Sequence, residues 1–396
     1  MNPIYLDNNA TTRIDPRVAQ AMHECYLAGH VNPASQHHFG RQTRRVLEQA
    51  RESVGQILGC HLSDTRADRV VFTSGGTEAN NLALLGLAGQ PPGHVLVSAI
   101  EHPSVLGPAE RLTQLGFEVG RIHVSRDGIV QPDHLRELLR SDTRLVSVML
   151  GNNETGVLQP VPELAEICAE AGVPLHTDAV QVVGKLPVHF RRLGVTAMSL
   201  TAHKFHGPRG VGALVLRPEA RINPLLFGGF QQEGLRPGTE SVALTVGLCR
   251  ALELWAAESD ARQQRMTALR DQLENAIRAE LRHVVINGLA APRLPHTVNL
   301  CFPGIDRQTL LMALDFAGVA CSSGSACASG SSEVSPVLLA MGLGPEITSG
   351  SIRISVGADS TAAEIGEASR RICNTVKDLR NNLRSNTCGR DSSVLV

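Results

Sequence analysis

The sequence predicts an α/β fold: a large domain on a mainly parallel sheet flanked by helices, followed by a smaller α+β domain. Three observations predict it. Short apolar runs alternate with helical patterns over most of the first half of the chain. A long helical stretch then carries the chain onward, and beyond it strands and helices recur in a looser order.

The strand candidates are Val70–Thr73, Val95–Ser98, Val119–Val124, Leu145–Leu150, Pro174–Thr177, Ala197–Thr201 and Gly212–Leu216. Helical patterns lie between most of them; Val46, Ala50, Val54 and Leu58, for example, recur every fourth residue on one face. Such alternation implies right-handed βαβ units and a sheet covered on both faces. From about Thr239 to Arg282 the pattern is helical, with Gly247 its one glycine and no proline. His296–Phe302 and Ser351–Val356 read as strands, Gln308–Phe316 and Ala362–Leu383 as helices. The expected division is a large domain over 14–255 and a small domain from 1–13 with 256–385, which carries a loop over 321–333. The tail 386–396 lacks periodicity and reads as disordered.

With 396 residues and 42% apolar content the chain can bury a sizeable core. Its formal net charge is −1 and its Lys and Arg residues are scattered, so neither nucleic acid nor an anionic membrane is an expected partner. The N-terminus MNPIYLDNNATTRIDP lacks the basic-then-apolar pattern of a secretory signal. No stretch approaches the roughly 18–20 uninterrupted apolar residues of a membrane helix. The expected location is cytoplasmic. Nine cysteines include no C-x-x-C pair, and the Cys321 to Cys327 spacing is no zinc knuckle, so neither a disulfide framework nor a resident metal is expected.

Three segments could carry chemistry. Val71 to Asn80 reads as strand, small-residue turn and helix, and Gly76 and Thr77 sit where a helix N-terminus offers N–H groups to an anion. Alone, that is equally an ordinary capped helix. His176 to Gln181 puts Asp178 at the end of an apolar strand, pointing into the crevice where α/β sheets bind ligands. A buried Asp there requires a cationic partner, such as a protonated pyridine nitrogen, unless it merely caps a helix. Ser199 to Gly210 places Lys204 among His, Thr and Gly residues after another strand, a setting for Schiff-base chemistry. Most lysines are solvated surface groups; convergence with Asp178 and Thr77 on one sheet edge weakens that reading.

The set Thr77–Glu78, Asn152–Asn153–Glu154, Thr177 to Gln181 and Ala202–His203–Lys204 closely resembles the cysteine desulfurases. These are class V aminotransferase-group enzymes of fold type I, with an aspartate-aminotransferase-like large domain that binds pyridoxal 5'-phosphate. The match runs from Tyr5–Leu6–Asp7–Asn8–Asn9–Ala10–Thr11–Thr12 to Arg353. The resemblance implies that Lys204 forms the Schiff base and shuttles protons, that Asp178 pairs with the pyridine nitrogen, and that Gln181 bonds the phenolic oxygen. It implies that His102 stacks on the ring and acts in acid–base steps. Gly76, Thr77, Thr201 and His203 would hold the phosphate, with Ala202 among the cofactor contacts. Thr239 would reach the phosphate in the neighbouring subunit, which implies a homodimer. Asn153 would contact cofactor and substrate, and Arg353 would clamp the substrate carboxylate. By pattern alone Asn153 could be turn chemistry, His102 a loop histidine, and Arg353, between Ile352 and Ile354, a solvent-facing strand residue.

Cys321 to Glu333 is a run of Ser, Gly and Ala with almost no apolar bulk, which cannot pack and reads as a mobile, exposed loop. A cysteine at its middle, Cys327, is poorly placed for a core; Cys321 reads as the end of a strand. Ser323–Gly324–Ser325–Ala326–Cys327 resembles the persulfide loop of the long-loop, iron–sulfur-assembly and nitrogen-fixation-type desulfurases. The implied reaction takes sulfur from L-cysteine, leaves L-alanine and holds the sulfur as a persulfide on Cys327 for an iron–sulfur scaffold protein. Through that persulfide Cys327 would contact a cluster transiently, without a metal site of its own. A selenocysteine lyase or an aminotransferase of the same fold is the alternative; a non-catalytic scaffold is the alternative from another class.

Overall fold

The computed structural model describes residues 2–324 and 334–388, without the side chains of 384–388. Its strands are β1 (Ile4–Tyr5), β2 (Arg69–Thr73), β3 (His94–Ser98), β4 (Glu118–Ile122), β5 (Thr143–Ser147), β6 (Leu175–Asp178), β7 (Ala197–Thr201), β8 (Gly212–Leu216), β9 (Val285–Ile286), β10 (Thr297–Cys301), β11 (Val319–Ala320) and β12 (Ser351–Ser355). A seven-stranded sheet has the order β2-β8-β7-β6-β5-β3-β4. Strands β3 to β7 pair in parallel, and β8 runs antiparallel to both β2 and β7. The expected mainly parallel sheet is present.

Except at the edge strand β4, both faces of this sheet are buried, which is why its strands read as near-continuous apolar runs. Val70, Phe72, Met198, Leu200, Ala213 and Val215 enter one core with the helix His38–Ile57, while Val71, Ala197, Leu214 and Leu216 enter another with the helix Gly76–Ala88. The run Leu145–Leu150 leaves the strand at Ser147, but Val148 and Leu150 still donate to His176 O and Asp178 O. The helix Val242–Glu280 serves two cores: Leu248, Leu252 and Trp255 join the large one, and Met266, Leu269, Leu273 and Ile277 the small one.

That small core lies under the sheet β12-β10-β9 and also takes in Ile4, Leu6 and the helix Ala362–Cys388. This last helix runs three residues into the tail expected from Asn386, because adding a turn to an existing helix is cheap. Residues 389–396 lie outside the described set. Strand β1 pairs with β11, and the chain then crosses to the large sheet, where Thr12 N–H donates to His203 O. That crossing brings residues 7–12 over the carboxyl ends of the parallel strands. Among the described residues no helix is long and apolar enough to cross a membrane.

Candidate active site

A cavity of about 230 Å³ opens at the carboxyl ends of β3, β5, β6 and β7. Gly76, Thr77, His102, Asn153, Asp178, Gln181, Thr201, His203 and Lys204 line it, so nine of the residues expected from sequence meet in one place. The helix Gly76–Ala88 starts at its edge without a side-chain cap on Gly75, and a methyl on Gly76 would sit 2.9 Å from Val180 Cγ2. A second opening of about 430 Å³ shares Gly76, Thr77, Thr201 and His203 and adds Ser74 and Arg209. Small residues, hydroxyls and free helical N–H groups of this kind suit an anion.

Asp178 ends β6 and is 5% exposed. Asn80 Nδ2 donates to its Oδ2 at 2.7 Å and Val180 N–H to its Oδ1 at 2.9 Å, both neutral donors. Asn80 also donates to Ser104 Oγ at 2.8 Å, and Ser104 N–H donates to His102 Nδ1 at 3.1 Å. An Nδ1 that accepts from a backbone amide leaves the ring hydrogen of neutral imidazole on Nε2. Burial pushes the His102 pKa down while Asp178 opposes it. Burial and Lys204 together push His203 down to about 4, and it enters the site as a neutral ring. Gln181 Oε1 is buried without a partner. Lys204 Nζ donates to the carbonyls of Asn9 and Ala10. Deeper in, Lys185 is 4% exposed and donates weakly to Gln181 O at 3.5 Å; burial, then Lys204, pushes it down to about 7.

Residues 7–12 carry no role in the sequence pattern, yet they touch five expected site residues. Asp7 Oδ1 pairs with Arg353 Nη2 at 2.6 Å. Asn9 Nδ2 donates to Asn153 O at 3.0 Å, and Asn9 O accepts from Gln181 Nε2 at 3.1 Å and from Lys204. Thr11 Oγ1 lies 3.2 Å from His203 Nδ1. Arg353 itself is 2% exposed; its Nη1 donates to Asn153 O at 3.1 Å, and its Nε is buried without a partner. The alternative of a solvent-facing Arg353 is therefore excluded.

Residues 4–367 match the family model described as aminotransferase class-V. The chain is 42% identical over 365 residues to the cysteine desulfurase IscS of Dictyoglomus turgidum, covering 91% of each chain. It is 40% identical over 383 residues to the cysteine desulfurase NifS of Azotobacter vinelandii, covering 96% of this chain and 94% of that one. The chain belongs to the class-V aminotransferase family, among its cysteine desulfurases. An X-ray structure of a NifS-like protein from Rickettsia africae superposes with a TM-score of 0.86 at 32% identity, covering 95% of this chain and all of that one.

Among the described expected residues of this desulfurase, Ala202, Thr239 and Arg353 do not line the cavity. Ala202 is fully buried in the large core, so any contact it makes toward a ligand is through its backbone. Thr239 is exposed on the loop before the long helix and does not line the cavity. That loop is anchored by Arg236, whose Nε donates to Glu78 Oε1 at 2.9 Å. Cys327 lies outside the described residues. Seven cysteines have described side chains, Cys388 not among them, and burial pushes every one of those thiols up; Cys321, just past β11, reaches about 12. None of the seven is poised as a thiolate.

Proposed function

We propose that this chain is a cytoplasmic, homodimeric, pyridoxal-phosphate-dependent cysteine desulfurase that moves sulfur from L-cysteine to Cys327 and on to an iron–sulfur scaffold protein. The carrying observation is that a buried carboxylate with neutral donors, Asp178, and an amine, Lys204, line one cavity. A protonated pyridine nitrogen supplies the cation that a buried Asp178 otherwise lacks in its hydrogen bonds. The unpartnered Gln181 Oε1, the close fit at Gly76 and the hydroxyls of Thr77 and Thr201 support the same ligand.

Pyridoxal phosphate, when bound, supplies an aldehyde for imine exchange and a sink for the electrons released at Cα. Lys204 provides the amine and, once displaced by substrate, a base beside Cα; the two carbonyls it donates to orient it. His102 carries its hydrogen on Nε2 and is kept neutral by burial, ready to take a second proton. Asn153 and Arg353 form the substrate side. Arg353 must share its guanidinium between Asp7 and the incoming carboxylate, with Nε unclaimed. The Cys327 sulfur attacks the sulfur of the substrate: an S–S bond forms, the C–S bond breaks, and the carbon skeleton gains a proton and leaves as alanine. The balance is L-cysteine plus thiol giving L-alanine plus persulfide. The sequence motif around Cys327 supports it as the acceptor, and none of the seven described thiols competes, since burial pushes each of them up.

The second copy is supported by what surrounds Thr239. Phe227 is 87% and Phe230 95% exposed beside it, more apolar surface than a lone loop should offer to water. Cytoplasmic placement rests on the sequence alone. The test is an assay of alanine and protein persulfide from L-cysteine, with Cys327→Ser alongside. That variant should keep the visible absorbance of lysine-bound cofactor and make neither persulfide nor sulfide. Normal turnover by Cys327→Ser would overturn the assignment.

A further inference from the structure

The segment 325–333 that holds Cys327 leaves the described structure at Gly324 and rejoins it at Val334, and one buried carboxylate stands at both ends. Ser335 Oγ donates to Glu154 Oε2 at 2.6 Å. Gly324 has φ +95°, and a methyl group on it would lie 2.8 Å from the same Glu154 Oε2. Only glycine combines that backbone conformation with so close an approach. Glu154 is 4% exposed and is itself fixed: its N–H donates to Asn152 Oδ1 at 2.9 Å, and its carbonyl accepts from Asn299 Nδ2 at 3.2 Å.

Each end has further support. Gly324 N–H donates to Ser322 Oγ at 3.2 Å, and Gly324 O accepts from Arg353 Nη1 at 3.4 Å. Ser335 caps the helix Pro336–Ala340, accepting from Leu338 N–H at 3.2 Å. Val337, Leu338 and Met341 then pack on Ile100 and on Met149, which lines the cavity. Glu154 directly follows Asn153, also a cavity residue, so one rigid turn joins the cavity wall to both ends of the Cys327 segment.

We propose that Glu154 is a positioning residue for sulfur transfer: through Ser335 and Gly324 it fixes where the Cys327 segment starts and ends relative to the cavity. This rests on the reading of Cys327 as the sulfur acceptor. Burial raises the Glu154 carboxyl, while Ser335, Arg353 and Arg307 act in the opposite sense. A misplacement of the segment's ends by about 1 Å can cost roughly 100-fold in a reaction that depends on approach.

The test separates substrate binding from sulfur transfer in the holoenzyme. Stopped-flow absorbance on mixing with L-cysteine reads binding at the cofactor, and mass spectrometry of quenched samples reads persulfide on Cys327. Glu154→Ala should bind cysteine at near the wild-type rate and form persulfide roughly 10- to 100-fold more slowly. Ser335→Ala should show a smaller loss of the same kind. The double variant should be no slower than Glu154→Ala, since both changes break one link. If Glu154→Ala does not fold, as judged by thermal unfolding and cofactor absorbance, Ser335→Ala decides alone. Persulfide formation at the wild-type rate, or an equal loss in both steps, overturns the proposal. Cys327→Ser in the same series distinguishes the failures: persulfide at another residue refutes the acceptor, whereas a fast Glu154→Ala refutes only the positioning role.

Discussion

The two walls of the cavity are built on different principles. On the large-sheet side Thr77, His102 and Lys204 each follow a strand of one sheet by a few residues, and Asp178 ends one. The backbone caps of Asp178 and His102 are near in sequence, although Asn80 reaches Asp178 across 98 positions and Asn9 reaches Lys204 across 195. Val180 N–H caps Asp178 from two residues away, and Ser104 N–H does the same for His102. The other side, where Asn153 lines the cavity and Asp7, Asn9 and Arg353 stand behind it, is assembled from afar. Asp7 meets Arg353 across 346 positions, and Asn9 meets Asn153 across 144. A wall of the first kind tolerates a lost side chain without moving; one of the second kind holds only while its long-range pairs do.

The largest expected effect lies on the first wall. Lys204→Ala should abolish the visible absorbance of lysine-linked cofactor and cut alanine formation by roughly 1,000-fold or more, while leaving the unfolding midpoint close to wild type. Its Nζ donates to two backbone carbonyls, one of which, Asn9 O, also accepts from Gln181 Nε2, so the folding energy at stake is modest. A large fall in stability, read by denaturant unfolding, would show that this wall is not self-supporting.

On the second wall the order is reversed. Asp7→Ala leaves the Arg353 guanidinium, which is 2% exposed, with carbonyls as its hydrogen-bond acceptors and the Glu154 carboxyl nearby. Breaking one side of a buried ion pair costs roughly 3–5 kcal/mol, and the low end applies because the Asp7 side chain is 20% exposed. Equilibrium urea unfolding should show a loss of about 3 kcal/mol with an unchanged slope. A loss below about 1 kcal/mol, the scale of an exposed pair, would mean that the second wall does not depend on this contact.

The same contrast explains what was legible in the sequence. Strand β7 and strand β8 were read to the residue because burial on both faces makes Ala197–Thr201 and Gly212–Leu216 unbroken small or apolar runs. Asp178 and Lys204 were legible because each ends or follows such a run. Arg353 was not placed by its pattern, since Ile352 and Ile354 are also fully buried and alternation then carries no information about solvent. Residues 7–12 stood out as a motif but not as a wall, because they act largely through the carbonyls of Asn9 and Ala10, which no side chain announces. Lys185 drew no reading of its own, because its residue type gives no sign of burial.

That lysine provides the smallest of the three tests, and it lies where the walls meet, donating to Gln181 O beneath Asn9. Its folded pKa, about 7, is below the unfolded value of 10.5. Between those two values the unfolded chain binds the proton and the folded chain does not, so stability should rise as pH increases from about 7 to 10.5. Below that window both states are protonated, and the cost of the buried charge is present in full. Lys185→Met removes the charge, and thermal or urea unfolding at pH 7 should therefore find it more stable than wild type by about 1–2 kcal/mol, less than the full linkage because Met repacks imperfectly. The advantage should shrink as pH climbs toward 10.5, where the unfolded lysine is neutral as well. A variant less stable than wild type across the whole range would instead make the ammonium a structural tie between the walls, and the local wall would then depend on charge as the distant one does.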